Sequence, residues 1–526
     1  MPLLNNKDAL DELLALSYRL STEKNTTKLL EDILLSAKAL THADGGTIYS
    51  IVDGQELKFE TLLNDSLNLY MGGTSQTAIP FKNIPIYLDG EINKNALVSL
   101  AAATQKPIII EDAYQACDHD MSGARAMDQR IGYRTKSVLT VPMQNHDGDI
   151  NGVLQLINAQ YLGQVVPFNQ QEIDLVLSMT SLAAVALTNK QLITEMEVLF
   201  ESLAKVIARA IDEKSPYTGG HCRRVPELTM MIAEAVNRTH HGPLAEFHLC
   251  EQEKSALNVA GWLHDCGKIA TPEYVMDKAT KLQTIFDRID YLDAKLEIYA
   301  QQLELKALKE PELNIDLASA LEQLAADRDF LKHTNLGSEF LPNESIERIE
   351  HLAKTYVITI NGVEQSVFTD DELACLKIQR GTLTPEERTI INHHIDVTVM
   401  MLDSLPFPKH LKSVPEYACG HHEKMDGTGY PKGLTKDQMS APARMMAIAD
   451  IFEALTASDR PYKPGKTLKE CLTIMGFMAK DQHIDADLFN IFIKEKVYLD
   501  YAKKFVPNIA DEDIDENDIP NYTAPY

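Results

Sequence analysis

From Glu172 to Asp212 the sequence contains neither proline nor glycine, and almost every residue fits a helix. Leu177, Met179, Leu182, Val185 and Leu187 run into Leu192, Met196, Leu199, Leu203 and Val206. Such an unbroken apolar seam suits a connecting helix paired with a second copy of the chain, and equally a helix packed on its own domain. It divides a chain of 526 residues, which is too long for one core when a domain takes ~150 residues.

The residues before this helix alternate between two periods. "TTKLLEDILLSAKALTHA" is an amphipathic helix, and "GGTIYSIV" and "ELKFETLL" flank "DGQ" as a hairpin. "KSVLTVPMQNHDGDINGVLQLINA" gives two more β-rich runs around an Asp-Gly turn. Together these predict an antiparallel sheet with helices on one side, an α+β domain over residues 1–190. On "SVLTVPM" and "GDINGVLQLIN", this half resembles a GAF sensory domain. In nucleotide-binding GAF domains an Asn-Lys pair and a Phe-x-x-x-Asp-Glu run recur. Asn158 and Phe168 fit that signature, whereas Ala159, Glu172 and Ile173 replace its Lys, Asp and Glu. The resemblance therefore implies an unidentified small signal, or a dimerising role, and no cyclic-nucleotide ligand.

The formal charge of -27 argues against a nucleic acid polymer as partner, because such partners reward a basic surface. Seven cysteines at 117, 222, 250, 266, 375, 419 and 471 form no CxxC pair, and read as reduced thiols of a cytoplasmic protein. The first twenty residues lack the basic and apolar regions of a secretion signal. No run approaches ~20 uninterrupted apolar residues, so no membrane span is expected.

Beyond residue 212 polar side chains interrupt apolar helix faces. His221, after a Thr218 cap, shares a stripe with Val225, Leu228 and Ile232; His264 continues Ala256, Leu257, Ala260 and Leu263, before a helix end at Gly267. His394 aligns with Ile390, Ile391, Val397 and Thr398, while His393 turns toward Glu386 and Thr389. Asp450 lies among Ala443, Met446, Ala447 and Ala454. Each histidine alone reads as a hydrogen-bonded core residue. Asp265 and Asp450 need cations, since an unpaired buried carboxylate costs several kcal/mol. With His421 and His422, these residues predict a transition-metal site.

The segments "YTGGHCRRV", "HDCGK" and "HHEKMDGTGYP" resemble the HD-GYP family of the HD phosphohydrolase superfamily, over residues ~213–470. The resemblance implies an all-helical domain, two or three iron or manganese ions, and hydrolysis of cyclic di-GMP. It places His221, His264, Asp265, His394, His421, His422 and Asp450 on metal ligands, and Lys268 on a lysine that contacts the scissile phosphate. Three-metal members carry a glutamate where Tyr217 stands, so two metals are expected here. Asp265 would bridge them and act, with Lys268, as a catalytic residue. Two ions ~3.5–4 Å apart acidify a shared water and neutralise the phosphate. Tyr430, Arg460 and Lys463 would contact the nucleotide, and Glu423 and Asp426 would orient histidines. Glu453 stands where the family usually has Asp. Rival readings are a phosphodiesterase for another dinucleotide, such as cyclic GMP-AMP, and a catalytically weak dinucleotide receptor.

After "TPEYVMDKATKL" an insertion over residues ~281–378 is expected, with an antiparallel helical pair and a hairpin at Asn361-Gly362. It is placed to overhang the site, or equally to serve as a dimerisation arm or passive extension. The expected order is thus the GAF-like domain (1–190), a connecting signalling helix (191–212), the helical HD-GYP domain (213–510), and a disordered acidic tail (511–526).

Overall fold

The computed structural model describes residues 6–524 except 24, 123–124, 126–127, 130–131, 216–219, 338–339, 458–464 and 511–513. The chain divides into two compact units, Met1–Val198 and Leu199–Tyr526.

In the first unit α1 (Asn6–Thr22) and α2 (Thr26–Thr41) precede a sheet. Its strands are β1 (Ala43–Val52), β2 (Glu56–Asn64), β3 (Leu69–Gly72), β4 (Ile84–Pro85), β5 (Ile108–Ile110), β6 (Val138–Gln144), β7 (Ile150–Tyr161) and β8 (Gln164–Val166). The order is β3-β2-β1-β7-β6-β5, with β8 on β7 and β4 on β2, and every pairing is antiparallel. Both predicted hairpins are present, at Asp53-Gly54 and Asp147-Gly148. Period-two alternation sends Ile48, Leu154 and Leu156 into a core with Leu30, Ile33 and Leu34 of α2. Tyr49, Val138 and Val153 face the other way, into a second core with α3 (Leu97–Thr104). A helix therefore covers each face, where the sequence predicted one. Between the sheet and α3 lies a cavity of about 500 Å³ lined by Thr47, Tyr49, Met71, Val98 and Gln155.

Helix α4 runs unbroken from Gln170 to Lys214. Ile173, Val176, Met179, Ala183 and Leu187 bury in the first unit. Ala204, Ala208 and Ile211 bury in the second. Leu182, Val185, Leu192, Met196, Leu199, Leu203 and Val206 are exposed. Among the described helices α4 alone is long and apolar enough to cross a membrane, by length and composition; 39% of its most apolar window is buried inside the protein.

The second unit is helical. Its core packs Leu228 and Ile232 of α5 (His221–Arg238) against Leu257 and Ala260 of α6 (Glu251–Leu263). The insertion carries the expected helical pair, α7 (Ile289–Lys309) and α8 (Leu317–Asn335). Helix α9 (Asn343–Thr355), a hairpin of β9 (Val357–Ile360) and β10 (Val363–Ser366), and α10 (Asp370–Leu376) follow. It has its own core around Leu292, Leu296, Leu331, Ile349 and Leu376. The chain returns through α11 (Pro385–Asn392), α12 (His394–Asp403), α13 (Val414–Cys419) and α14 (Ala441–Thr456).

The acidic tail corrects an expectation. Residues 511–513 lie outside the described set, but beyond them Ile519 is buried, and Ile514 and Tyr522 pack on the helical core. The apolar residues interleaved with the acids dock this stretch, which charge counting alone reads as solvated.

Candidate metal centre

Helix ends gather the donors. His221 opens α5 behind Gly220, and His264 directly follows α6. Asp265 then leads into a 3-10 turn, Cys266–Ala270. His394 opens α12 after a break at His393, and His421 and His422 follow α13. Only Asp450 sits inside a helix, α14. At a helix end the backbone leaves its regular course, so side chains from separate helices can face one point. The Thr218 cap lies outside the described residues.

All seven predicted ligands converge. The Asp265 carboxylate faces two groups: Oδ2 lies 3.2 Å from His221 Nε2 and 3.1 Å from His264 Nε2, while Oδ1 lies 3.2 Å from His394 Nε2. Asp450 Oδ1 is 3.3 Å from His221 Nε2, and His422 Nε2 is 3.3 Å from His394 Nε2. Ligand atoms of Asp265, His394, His421 and His422 form one set within 4.8 Å of one another, and those of His221, His264 and Asp265 form another.

These imidazoles are prepared as ligands. The Nδ1 atoms of His264, His394 and His421 bond to the carbonyls of Gly261 (2.6 Å), Ile391 (2.5 Å) and Ala418 (2.6 Å). Donating there leaves each Nε2 with a lone pair aimed inward. His421 Nε2 is buried with no hydrogen-bond partner among the described residues. An orphaned imidazole nitrogen among carboxylates, within a nitrogen-oxygen donor set, fits a divalent metal ion.

Electrostatics agree. Burial, then the neighbouring histidines His422 and His264, holds His421 well below the usual imidazole range. Burial brings His422 to about 4. Both are therefore neutral and able to bind metal at neutral pH. Burial opposes ionisation of Asp265, but Lys268 and His264 override it and hold the carboxyl well below its usual range. Asp450 is likewise held low against burial, by His221 and then His421.

Around the donors, Lys268 Nζ donates to Asp265 Oδ2 at 2.6 Å. Tyr430 stacks on His422, with ring centroids 4.8 Å apart and planes at 21°. A cavity of about 520 Å³ beside the centre is lined by Thr271, Asn392, His393, His394, Tyr430 and Pro431. None of its described lining residues belongs to the insertion. His393 is exposed and its Nδ1 lies 2.9 Å from Asp396 Oδ2. Arg460 and Lys463 lie outside the described residues.

Glu423 and Asp426 correct the prediction. Glu423 accepts the amides of Lys432 (2.7 Å) and Leu434 (2.9 Å), closing the loop that follows the histidines. Asp426 accepts from the Thr428 amide and hydroxyl. Neither bonds to a histidine, because the chain turns away at once. Gly429 permits that turn: a Cβ there would lie 2.4 Å from Lys424 N.

The orienting carboxylate is Glu453. Its Oε2 lies 2.5 Å from His221 Nδ1, its Oε1 accepts from Arg224 Nε at 2.6 Å, and it is 1% exposed. The signal was its position one turn after Asp450 on an apolar face.

Comparison with known proteins divides the chain as the fold does. The GAF domain family matches residues 25–187, and an HD domain family matches residues 367–488. The second span holds His394, His421, His422 and Asp450; the insertion separates it from His221, His264 and Asp265. A protein of Vibrio cholerae named "Probable cyclic di-GMP phosphodiesterase" is 34% identical over 142 residues, covering 26% of this chain and 31% of the relative. The "3'3'-cGAMP-specific phosphodiesterase 1" of the same organism is 40% identical over 81 residues, covering 15% and 19%. The chain thus spans less than a third of the length of either. The GAF domain of an Acinetobacter phosphoenolpyruvate-protein phosphotransferase is 13% identical, covers 36% of this chain and 98% of its own, and has a TM-score of 0.27.

Proposed function

We propose that this chain, a GAF domain followed by an HD domain, is a metal-dependent phosphodiesterase that hydrolyses cyclic di-GMP to pGpG and/or GMP. The observation that carries the reading is the Asp265 carboxylate, one oxygen toward His221 and His264 and the other toward His394. His221, His264 and Asp450 with one oxygen of Asp265 would hold one ion, and His394, His421 and His422 with the other oxygen a second. Bound iron or manganese would supply positive charge for the phosphodiester and a water acidified toward neutrality.

The protein's own groups do the rest. The carbonyls behind His264, His394 and His421, and Glu453 behind His221, fix which nitrogen each ring presents. The Lys268 ammonium, raised above its ordinary range by Asp265 and Asp450 against burial, stays charged to meet a phosphate oxygen. Tyr430 offers an aromatic wall to a base in the adjoining cavity.

Cyclic GMP-AMP is the second substrate reading, favoured by the cGAMP-specific relative. Signal control would come from a small molecule in the first unit's cavity. The exposed stripe on α4 supports a homodimer, and the free cysteines support a cytoplasmic location. Incubating iron- or manganese-loaded protein with both dinucleotides tests the reading; tight binding without cleavage of either favours a receptor. Replacing His264→Ala and Asp265→Ala together should lower turnover by about a thousandfold or more. Retained activity in that variant sinks the assignment.

A further inference from the structure

The last residue of α4 reaches the rim of the metal centre. Lys214 Nζ donates to the carbonyl oxygens of Lys268 (3.3 Å), Ile269 (2.6 Å) and Thr271 (2.6 Å). These carbonyls close the 3-10 turn Cys266–Ala270, which begins at Asp265 and carries Lys268. The final carbonyls of a helical turn bear partial negative charge, so a cation there is stabilising; the Lys268 carbonyl also accepts the Thr271 amide at 3.0 Å. An ammonium has three protons and here meets three acceptors.

The same turn is held from its other side. Thr398 Oγ1 accepts the Gly267 amide at 2.9 Å, and a Cβ at Gly267 would lie 1.9 Å from the His394 carbonyl oxygen. Residue 267 thus abuts α12 without slack, whereas residues 268–271 are held by Lys214. Next to Lys214, the Ser215 hydroxyl bonds to the Asp277 carboxylate, beyond the turn. Two consecutive residues at the end of the connecting helix therefore grip the segment that follows the His264-Asp265 pair.

We propose that Lys214 is a positioning residue for the hydrolysis, and the point at which the connecting helix acts on the catalytic turn. It touches neither substrate nor metal. By collecting three carbonyls it fixes the backbone from which Lys268 extends to Asp265. A small rotation or withdrawal of the last turn of α4 exchanges those bonds for water and releases Lys268 without displacing a metal ligand. The inference rests on the phosphodiesterase reading, with Lys268 at the scissile phosphate.

The test uses the full chain loaded with iron or manganese. Lys214→Met is expected to lower kcat about tenfold while KM stays within about twofold. Bound metal should match wild type. Lys214→Arg should restore most of the rate, and Lys214→Gln, with one donor group, should fall between. In a Lys268→Met background, Lys214→Met should cost nothing further, because both changes remove one function. An unchanged kcat in Lys214→Met, or the same tenfold loss in the Lys268→Met background, overturns the proposal. Amide hydrogen exchange at residues 268–271 separates this from the parent reading. Faster exchange there in Lys214→Met supports the clamp even if wild type cleaves no dinucleotide, and unchanged exchange overturns it.

Discussion

At the level of single residues, a ligand histidine is defined as much by its second nitrogen as by its first. His264, His394 and His421 each lean on the carbonyl three residues back, a partner that any helix end supplies. His221 opens its helix and bonds through Nδ1 to Glu453, 232 residues away. This explains what was legible. A polar side chain on an apolar face can be read from local periodicity, so His221, His264, His394 and Asp450 stood out as candidates; the resemblance of the motifs added Asp265, His421 and His422. The partner of His221 could not be read so, because it comes from another helix. Glu423 and Asp426 were misassigned for the opposite reason: nearness in sequence suggested a bond that the turn at Gly429 prevents.

A residue outside the centre yields a pH prediction. Lys281 is fully buried, its Nζ donates to the Leu376 carbonyl, and burial lowers its pKa to about 8. An unfolded lysine titrates near about 10.4. Between these values the unfolded chain binds more protons, so stability rises with pH from about 8 to about 10.4. Below about 8 both states are charged and the burial cost is present in full. Lys281→Met should therefore stabilise the insertion at pH 7 by an amount on the order of a few kcal/mol. Urea melts at rising pH should show that gain shrinking above about pH 8. A gain independent of pH would refute it.

Among the elements, α4 shows how far a pattern extends. The absence of proline and glycine announced the helix, and its observed ends lie two residues beyond the predicted ones on each side. The seam was also legible, as steps of three and four from Leu192 through Met196, Leu199 and Leu203 to Val206. Hidden in the sequence was which apolar residues the protein itself covers. Ala204, Ala208 and Ile211 are buried in the helical unit while Leu203 and Val206 stay exposed, though all five are apolar neighbours. Replacing Leu199→Asp and Leu203→Asp should turn a dimer into a monomer in light scattering, with metal content unchanged. A mass equal to that of wild type would refute pairing through this stripe, and partition of wild type into vesicles would favour a membrane instead.

For the whole molecule, the sequence revealed the order of parts because each has its own period: two in the sheet, three to four in the helices. It misjudged the tail because Ile519 and Tyr522 dock through a surface assembled from distant helices. The insertion is the clearest case of an independent part, with its own apolar core and no described residue in the wall of the cavity beside the centre. Deleting residues 281–378 and bridging the gap with a short glycine-serine link should leave two metals bound and hydrolysis within about threefold of wild type. Metal analysis and dinucleotide turnover check this, and a changed substrate preference would show that the insertion restricts entry.

Where the insertion leaves and rejoins the domain, Thr382 Oγ1 donates to the Lys278 carbonyl at 2.9 Å, and Lys278 pairs with Glu387 at 2.7 Å. The two strands of the junction are thus knotted together on the host side, before the added chain begins. Such a junction is a socket: whatever module is plugged in, its termini need only approach each other, and its motions end at the knot.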